Sequence, residues 1–223
     1  MTTGSTWQRL RRSIINSAGT IVFGMEDGTV SIFGLIFGVA ATTTSTKTVL
    51  IAGASGAAAA AVSMMAGAYL DAETTRDQTD AATSAVGTVS LSQRLARAGL
   101  TSQQSTALAN AVQCDRDAVD GLLLALKGEA KAPVNPAEQA LWMLVADFFA
   151  AAVPILPFVL LPIAHARIVS GVVTVALLIA LGVGRSQLGQ RSVVRTVIET
   201  VSMGVGAAIA GVAIGVLIDR WFT

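Results

Sequence analysis

The chain alternates between long apolar stretches and short polar connections, with one long polar segment in its middle. A membrane-spanning helix needs about 20 mostly apolar residues, and five stretches reach this length. They are approximately Ile15–Ala41, Val49–Leu70, Ala140–Ile163, Ile168–Gly184 and Val193–Ile218. The pattern therefore predicts an all-α membrane protein with five transmembrane helices.

The long polar segment between the second and third apolar stretches runs from Asp71 to Glu138. Its periodicity is helical, and Thr101 is placed to cap a helix that continues to Val112. We expect three or four short helices that form a small cytoplasmic domain. The predicted organisation is an amphipathic N-terminus with transmembrane helices 1 and 2 (residues 1–70), the helical domain (71–138) and transmembrane helices 3 to 5 (139–223).

The basic residues orient these helices. With five spans, all Lys and Arg residues fall on one side of the membrane except Lys47, Arg167 and Arg220. Cytoplasmic loops carry an excess of Lys and Arg, so we expect a cytoplasmic N-terminus and an external C-terminus. The first apolar stretch exceeds the core of a cleaved signal peptide and is expected to stay in place. The Ala-, Gly- and Val-rich composition favours a bacterial inner membrane.

Composition supports the membrane assignment and excludes several classes of function. Charged residues make up 13% of the chain, against about 25% in soluble domains, and the mean hydropathy is +0.66. The formal net charge of +1 gives no indication of nucleic-acid binding, and the single cysteine excludes an intramolecular disulfide. No phosphate-binding loop, nucleotide fingerprint or zinc spacing occurs. We therefore expect neither an enzyme nor a bound cofactor.

Two adjacent carboxylates, Glu26 and Asp27, lie inside the first apolar stretch. A charge at the centre of a bilayer costs at least about 2.5–3.5 kcal/mol, and intramembrane carboxylates commonly face an ion or proton path. Consecutive helical residues point about 100° apart, so the two cannot face one path equally. The alternative is that the first helix begins later and leaves both carboxylates at an interfacial turn around Gly24–Gly28.

Met64 and Met65, in the second apolar stretch, are candidate soft ligands. A path that offers thioethers together with carboxylates suits a borderline ion such as Fe²⁺ better than Mg²⁺ or Ca²⁺. Methionine also fills irregular apolar gaps, so packing is the alternative role for both. A further carboxylate, Asp147, is expected either within the third helix or one or two turns from its cytoplasmic end.

Glycines recur at four-residue spacing in the apolar stretches. The pairs are Gly24 and Gly28, Gly34 and Gly38, and Gly211 and Gly215. Such spacing lets helix backbones approach closely in lipid. It predicts tight packing of helices and is compatible with a dimer.

Two segments resemble the signatures of the vacuolar iron transporter family. The first is Gly24–Ser31, with the sequence GMEDGTVS, and the second is Ser63–Leu70, with the sequence SMMAGAYL. Pro154 and Pro157 resemble the paired-proline element of the family's third helix. The resemblance implies a homodimer with a path between the copies, through which Fe²⁺ or a related divalent ion is exchanged for protons.

The resemblance also assigns roles to single residues. Asp27 falls on the family's path aspartate and Met64 on its path methionine, with Met65 beside it. The polar segment corresponds to a cytoplasmic metal-binding domain that the family lines with glutamates.

This chain departs from the family pattern at several of these positions. Glu26 stands where the family usually has asparagine, and Ala68 stands where it has a path glutamate. Glu26 is therefore a candidate replacement for the missing carboxylate. The polar segment is poor in glutamate and leaves only Glu73 and Glu129 as candidate metal ligands, so a conventional multinuclear site is not expected there.

The leading hypothesis is a dimeric transporter that exports Fe²⁺ or Mn²⁺ from the cytoplasm in exchange for protons. Its expected partners are membrane lipid, a second copy of the chain, the metal ion and protons. The alternative is a transport-incompetent relative that acts as a structural or regulatory membrane subunit, in which Glu26 and Asp27 pair with a partner chain or a buried Arg. A third hypothesis is a divalent-cation channel without proton coupling.

Overall fold

The computed structural model of the chain describes residues 3–84, 95, 99–112 and 135–222. These residues form the helices α1 (Thr3–Asn16), α2 (Ala18–Thr42), α3 (Thr46–Ser84), α4 (Ser102–Val112), α5 (Pro136–Leu160), α6 (Ile163–Gly189) and α7 (Val193–Phe222). The described residues contain no strand. The predicted all-α class is therefore confirmed for this part of the chain.

Five helices in the described ranges, α2, α3, α5, α6 and α7, are long and apolar enough to cross a membrane. Each corresponds to one predicted span. The largest difference is in α3, which was expected to end at Leu70 but continues to Ser84. Residues 71–84 contain neither a glycine nor a proline that would stop the helix, which explains the extension.

The chain divides into two compact units, Met1–Leu70 with Asn135–Thr223, and Asp71–Val134. Helix α4, in the second unit, starts directly after Thr101 as predicted. The Gln104 N–H donates to Thr101 Oγ1 at 3.4 Å, and the Thr101 N–H donates to Gln104 Oε1 at 3.1 Å, which is the reciprocal arrangement of a capping box. The placement of this unit in the cytoplasm stays a prediction.

In the first unit, α2 packs closely against α7, and the two helices run parallel. Gly34 of α2 lies against Ala207, and Gly38, four residues further, lies against Gly211. Because the contact advances in the same direction on both helices, their axes point the same way. The predicted glycine pairs thus bring two helices of one chain together.

Helix α6 runs in the opposite direction to α2. The Arg167 guanidinium, near the start of α6, donates to the carbonyls of Ala40 and Thr43 at the end of α2. Arg185, near the end of α6, reaches Glu26 in the first half of α2. A cation beside the last carbonyls of a helix also offsets the negative end of its dipole.

Apolar contacts fill the half of the bundle toward the C-terminal end of α2. The buried residues of this core come from α2, α3, α5 and α6: Ile32, Ile36, Ala40, Val49, Ala57, Ala151, Phe158 and Ala166. The buried carboxylates Glu26 and Asp147 lie in the other half, while the Arg167 guanidinium lies in this half, at the end of α2.

We expect Gly211→Ala to destabilise the bundle, because the new methyl group would overlap the carbonyl group of Gly34. The Cβ atom of the alanine would lie 2.8 Å from the Gly34 carbonyl carbon. Overpacking of this kind costs about 1–3 kcal/mol. Gly206→Ala on the same helix is the matched control, since no neighbouring helix lies within 4 Å of its new methyl group. Thermal unfolding in detergent measures both variants. Equal midpoints would contradict the close contact between α2 and α7.

Candidate functional site

Helix α2 places Glu26 and Asp27 well inside the bundle. The helix begins at Ala18, so Glu26 lies roughly 12 Å along its axis at 1.5 Å per residue. The alternative interfacial turn at Gly24–Gly28 does not occur, because these residues are helical. Both carboxylates therefore belong to the membrane-spanning helix.

The Glu26 carboxylate is held by two neighbouring helices. Arg185 Nη1 donates to Glu26 Oε1 at 3.0 Å and to Oε2 at 3.2 Å, and the Thr200 hydroxyl donates to Oε1 at 2.9 Å. Glu26 is buried, with 8% of its surface exposed. These bonds join α2, α6 and α7 at one depth, and we call this group the Glu26 clamp.

The clamp compensates the charge of Glu26 inside an apolar bundle. An ionised group removed from water needs an opposite charge or hydrogen-bond donors, and Glu26 has both. The Arg185 side chain remains 37% exposed, so the bundle encloses the carboxylate more completely than the cation. Glu26 is thus already paired with residues of its own chain.

Asp27 has a different environment from its neighbour. It is half-buried, and it makes no hydrogen bond to any described residue. Residues four positions apart lie on one face of a helix, so Asp27 shares a face with Phe23, Ser31 and Leu35, which are all exposed. We call this exposed row the α2 stripe; at its end, Leu35 also contacts Gly56 of α3.

Asp147 of α5 lies next to these residues. It is fully buried, and neither carboxylate oxygen has a hydrogen-bond partner. Its Oδ1 would lie 2.8 Å from a Cβ atom at Gly28, and its backbone carbonyl would lie closer still. Only a glycine at position 28 admits α5 so near. Together, Glu26, Asp27, Asp147, Arg185 and Thr200 form a polar layer across the bundle.

Met64 lies at about the depth of the polar layer by helix register. Gly56 of α3 lies against Leu35 and Ile32 of α2, and α3 runs in the opposite direction. Eight residues further along α3 is Met64, and eight residues back along α2 from Leu35 is Asp27. Both Met64 and Met65 are half-buried.

The remaining predicted metal ligands, Glu73 and Glu129, do not belong to the described part of the first unit. Glu73 is exposed and belongs to the second unit, and Glu129 lies outside the described residues. Ala68, where the resemblance expects glutamate, is buried. Within the described ranges, no group of three or more His, Cys, Asp or Glu side chains converges to hold a metal ion.

Sequence reasoning did not find the partners of Glu26. The predicted fourth span ended at Gly184 and left Arg185 outside it, but α6 continues to Gly189 and keeps Arg185 beside Glu26. Nothing in the sequence indicated that Thr200 binds Glu26, because threonine is common in apolar helices. Asp147 was recognised as an intramembrane carboxylate but not as part of the site.

A sequence model of the VIT family matches residues 18–216. The chain belongs to the VIT family. The match begins at the first residue of α2 and includes every residue of the polar layer and the two methionines. Membership of the VIT family, the vacuolar iron transporters, confirms the resemblance. It supports an integral membrane protein and, at the level of the family, metal-ion transport. A search of curated proteins gave no significant match.

We expect Arg185→Gln to lower the stability of this VIT protein, because Glu26 would keep only Thr200 as a donor. A buried acceptor left without its partner costs about 1–3 kcal/mol. The double variant Glu26→Gln, Arg185→Gln should recover part of the loss, since no buried charge is left unpaired. Thermal unfolding of wild type, Glu26→Gln, Arg185→Gln and the double variant measures the coupling.

Arg195→Gln is the control for this cycle. Arg195 pairs with Glu199 one turn away on α7, but its side chain is 83% exposed, so its removal should cost about 0.5 kcal/mol or less. If Arg185→Gln is no more destabilising than Arg195→Gln, the clamp does not stabilise the bundle.

Proposed function

We propose that this chain exports Fe²⁺ or a related divalent ion such as Mn²⁺ from the cytoplasm in exchange for protons. The path runs along the α2 stripe where two copies meet. The observation that supports this most directly is Asp27, a half-buried carboxylate without a partner in the described residues, on an uncovered face of a membrane helix.

The cost of exposing Asp27 to lipid argues for a covered path. A carboxylate at this depth facing hydrocarbon costs at least about 2.5–3.5 kcal/mol. Phe23 and Leu35, on the same stripe, are 55% and 38% exposed, and apolar side chains of this kind suit a contact with another helix. A second copy packed along the stripe would enclose Asp27 and leave it facing a shared path.

The ligand types suit a borderline transition-metal ion. Asp27 offers hard oxygen atoms, and Met64 offers a soft sulfur at the same depth, a combination that favours Fe²⁺ over Mg²⁺ or Ca²⁺. Glu26 contributes less than Asp27, because Arg185 already balances its charge. In this proposal Asp27 is the main path carboxylate, and Glu26 fixes the helices around it.

We expect Asp27→Asn to lower metal flux at least tenfold, because loss of about 1.4 kcal/mol of ion binding already gives a factor of ten. The measurement is Fe²⁺ or Mn²⁺ flux in liposomes under a proton gradient, read by an entrapped metal indicator. Asp219→Asn, which changes an exposed carboxylate near the end of α7, is the matched control. Wild-type flux in Asp27→Asn would refute this path.

Met64→Leu should change the choice of ion more than the fold, since leucine conserves volume but removes the thioether. The ratio of Fe²⁺ flux to Mn²⁺ flux should fall roughly two- to tenfold, which corresponds to about 0.4–1.4 kcal/mol. Met203→Leu, at an exposed position of α7, controls for loss of a methionine. An unchanged ratio would assign Met64 to packing.

A structural or regulatory membrane subunit is the second candidate function. The Glu26 clamp favours it, because one of the two adjacent carboxylates pairs with an arginine as that hypothesis expects. The same flux assay separates the candidates. A folded wild-type protein that moves neither Fe²⁺ nor Mn²⁺ under any gradient would favour the subunit over the transporter.

A further inference from the structure

Asp147 is the least compensated polar group of the bundle. Its side chain has no water-accessible surface, and both carboxylate oxygens lack a hydrogen-bond partner. Buried polar groups in folded proteins are nearly always paired, and each exception calls for a physical reason. Its surroundings therefore decide which ligand the carboxylate can take.

Two basic side chains of α6 and α7 are already engaged by other carboxylates. Arg185 of α6 is bound to Glu26, and Arg195 of α7 is bound to Glu199. On α2, the nearest acidic neighbour without a described partner is Asp27, which adjoins the Gly28 that Asp147 touches. On α3, the residues at this depth, 60–68, are all uncharged.

An ionised carboxylate in this enclosure lacks both a counter-charge and donors, and such a state is very costly. A cation must therefore accompany it. A divalent ion usually retains water or needs several oxygen ligands, and the closed contact between Asp147 and Gly28 offers neither. A proton needs no additional space.

We propose that Asp147 is the proton-binding residue of the exchange, a role separate from metal binding at Asp27. This inference rests on the proposed function, because it assigns the proton side of the same transport cycle. With no metal in the path, one carboxylate oxygen of Asp147 carries a proton. When the divalent ion binds at Asp27, the O–H bond of Asp147 breaks, and water on the side from which the metal entered accepts the proton.

Metal binding at Asp27 and proton release at Asp147 are coupled by electrostatics through the protein interior. Charges interact far more strongly inside a protein than in water, and Asp147 touches Gly28, the chain neighbour of Asp27. A positive charge at Asp27 opposes a proton on Asp147. When the metal leaves, a proton from the opposite side restores the neutral carboxyl group, so each cycle exchanges metal for proton.

The experiment compares Asp147→Asn with wild type in liposomes, with metal flux and internal pH recorded together. We expect downhill metal flux to persist, while its stimulation by a proton gradient and the counterflow of protons are lost. Asp219→Asn is the matched control and should keep both. If Asp147→Asn keeps wild-type stimulation and proton counterflow, the inference is wrong, although the proposed transport stands.

A second measurement needs only folded wild-type protein. Infrared difference spectra recorded on addition of Mn²⁺ should show the loss of a protonated carboxyl band, and this loss should be absent from Asp147→Asn. A wild-type spectrum with no such band overturns the inference even if the variant fails to fold. If wild type moves no metal at all, the proposed function fails, and the infrared band alone decides whether Asp147 carries a proton.

Discussion

The close approach of α2 to its neighbours is the constraint on which the rest of the bundle depends. Gly28 removes the side chain that would hold α5 away, and Gly34 and Gly38 do the same for α7. In lipid, helices have no hydrophobic drive to associate, so close backbone contact supplies much of the attraction. The same contacts bring Asp147 to α2 and Thr200 to Glu26, so the chemistry of the polar layer follows from the packing.

Properties that depend on one helix at a time could be predicted from the sequence. Crossing a bilayer restricts length and composition so strongly that hydropathy alone predicted all five spans. The cap at Thr101 depends on residues three positions apart, and it was also predicted. The cost of burying a charge identified Asp27 as a candidate site residue. The family signature at Gly24–Ser31 supported its role as a path carboxylate.

The partners within the polar layer could not be predicted in this way, because they depend on how separate helices align. Arg185 is 159 positions from Glu26, and Thr200 is 174 positions away. Whether Asp147 lies near water or fully buried depends on the register between α5 and α2. That register is set by single contacts such as Gly28, which hydropathy does not record. The Glu26 clamp shows how this chain carries a charge inside an apolar bundle.

The long sequence separation within the Glu26 clamp also affects how the protein is made. The ribosome completes α2 well before Arg185, and at about 5–20 residues per second the interval is roughly 8–30 s. During this time Glu26 has neither its cation nor Thr200, although its helix is already apolar enough to enter the bilayer. The early helices must therefore wait in a setting where water or the insertion machinery shields the carboxylate. Helices α6 and α7 then complete the protein, because they supply the arginine and the hydroxyl group that bind Glu26 of α2.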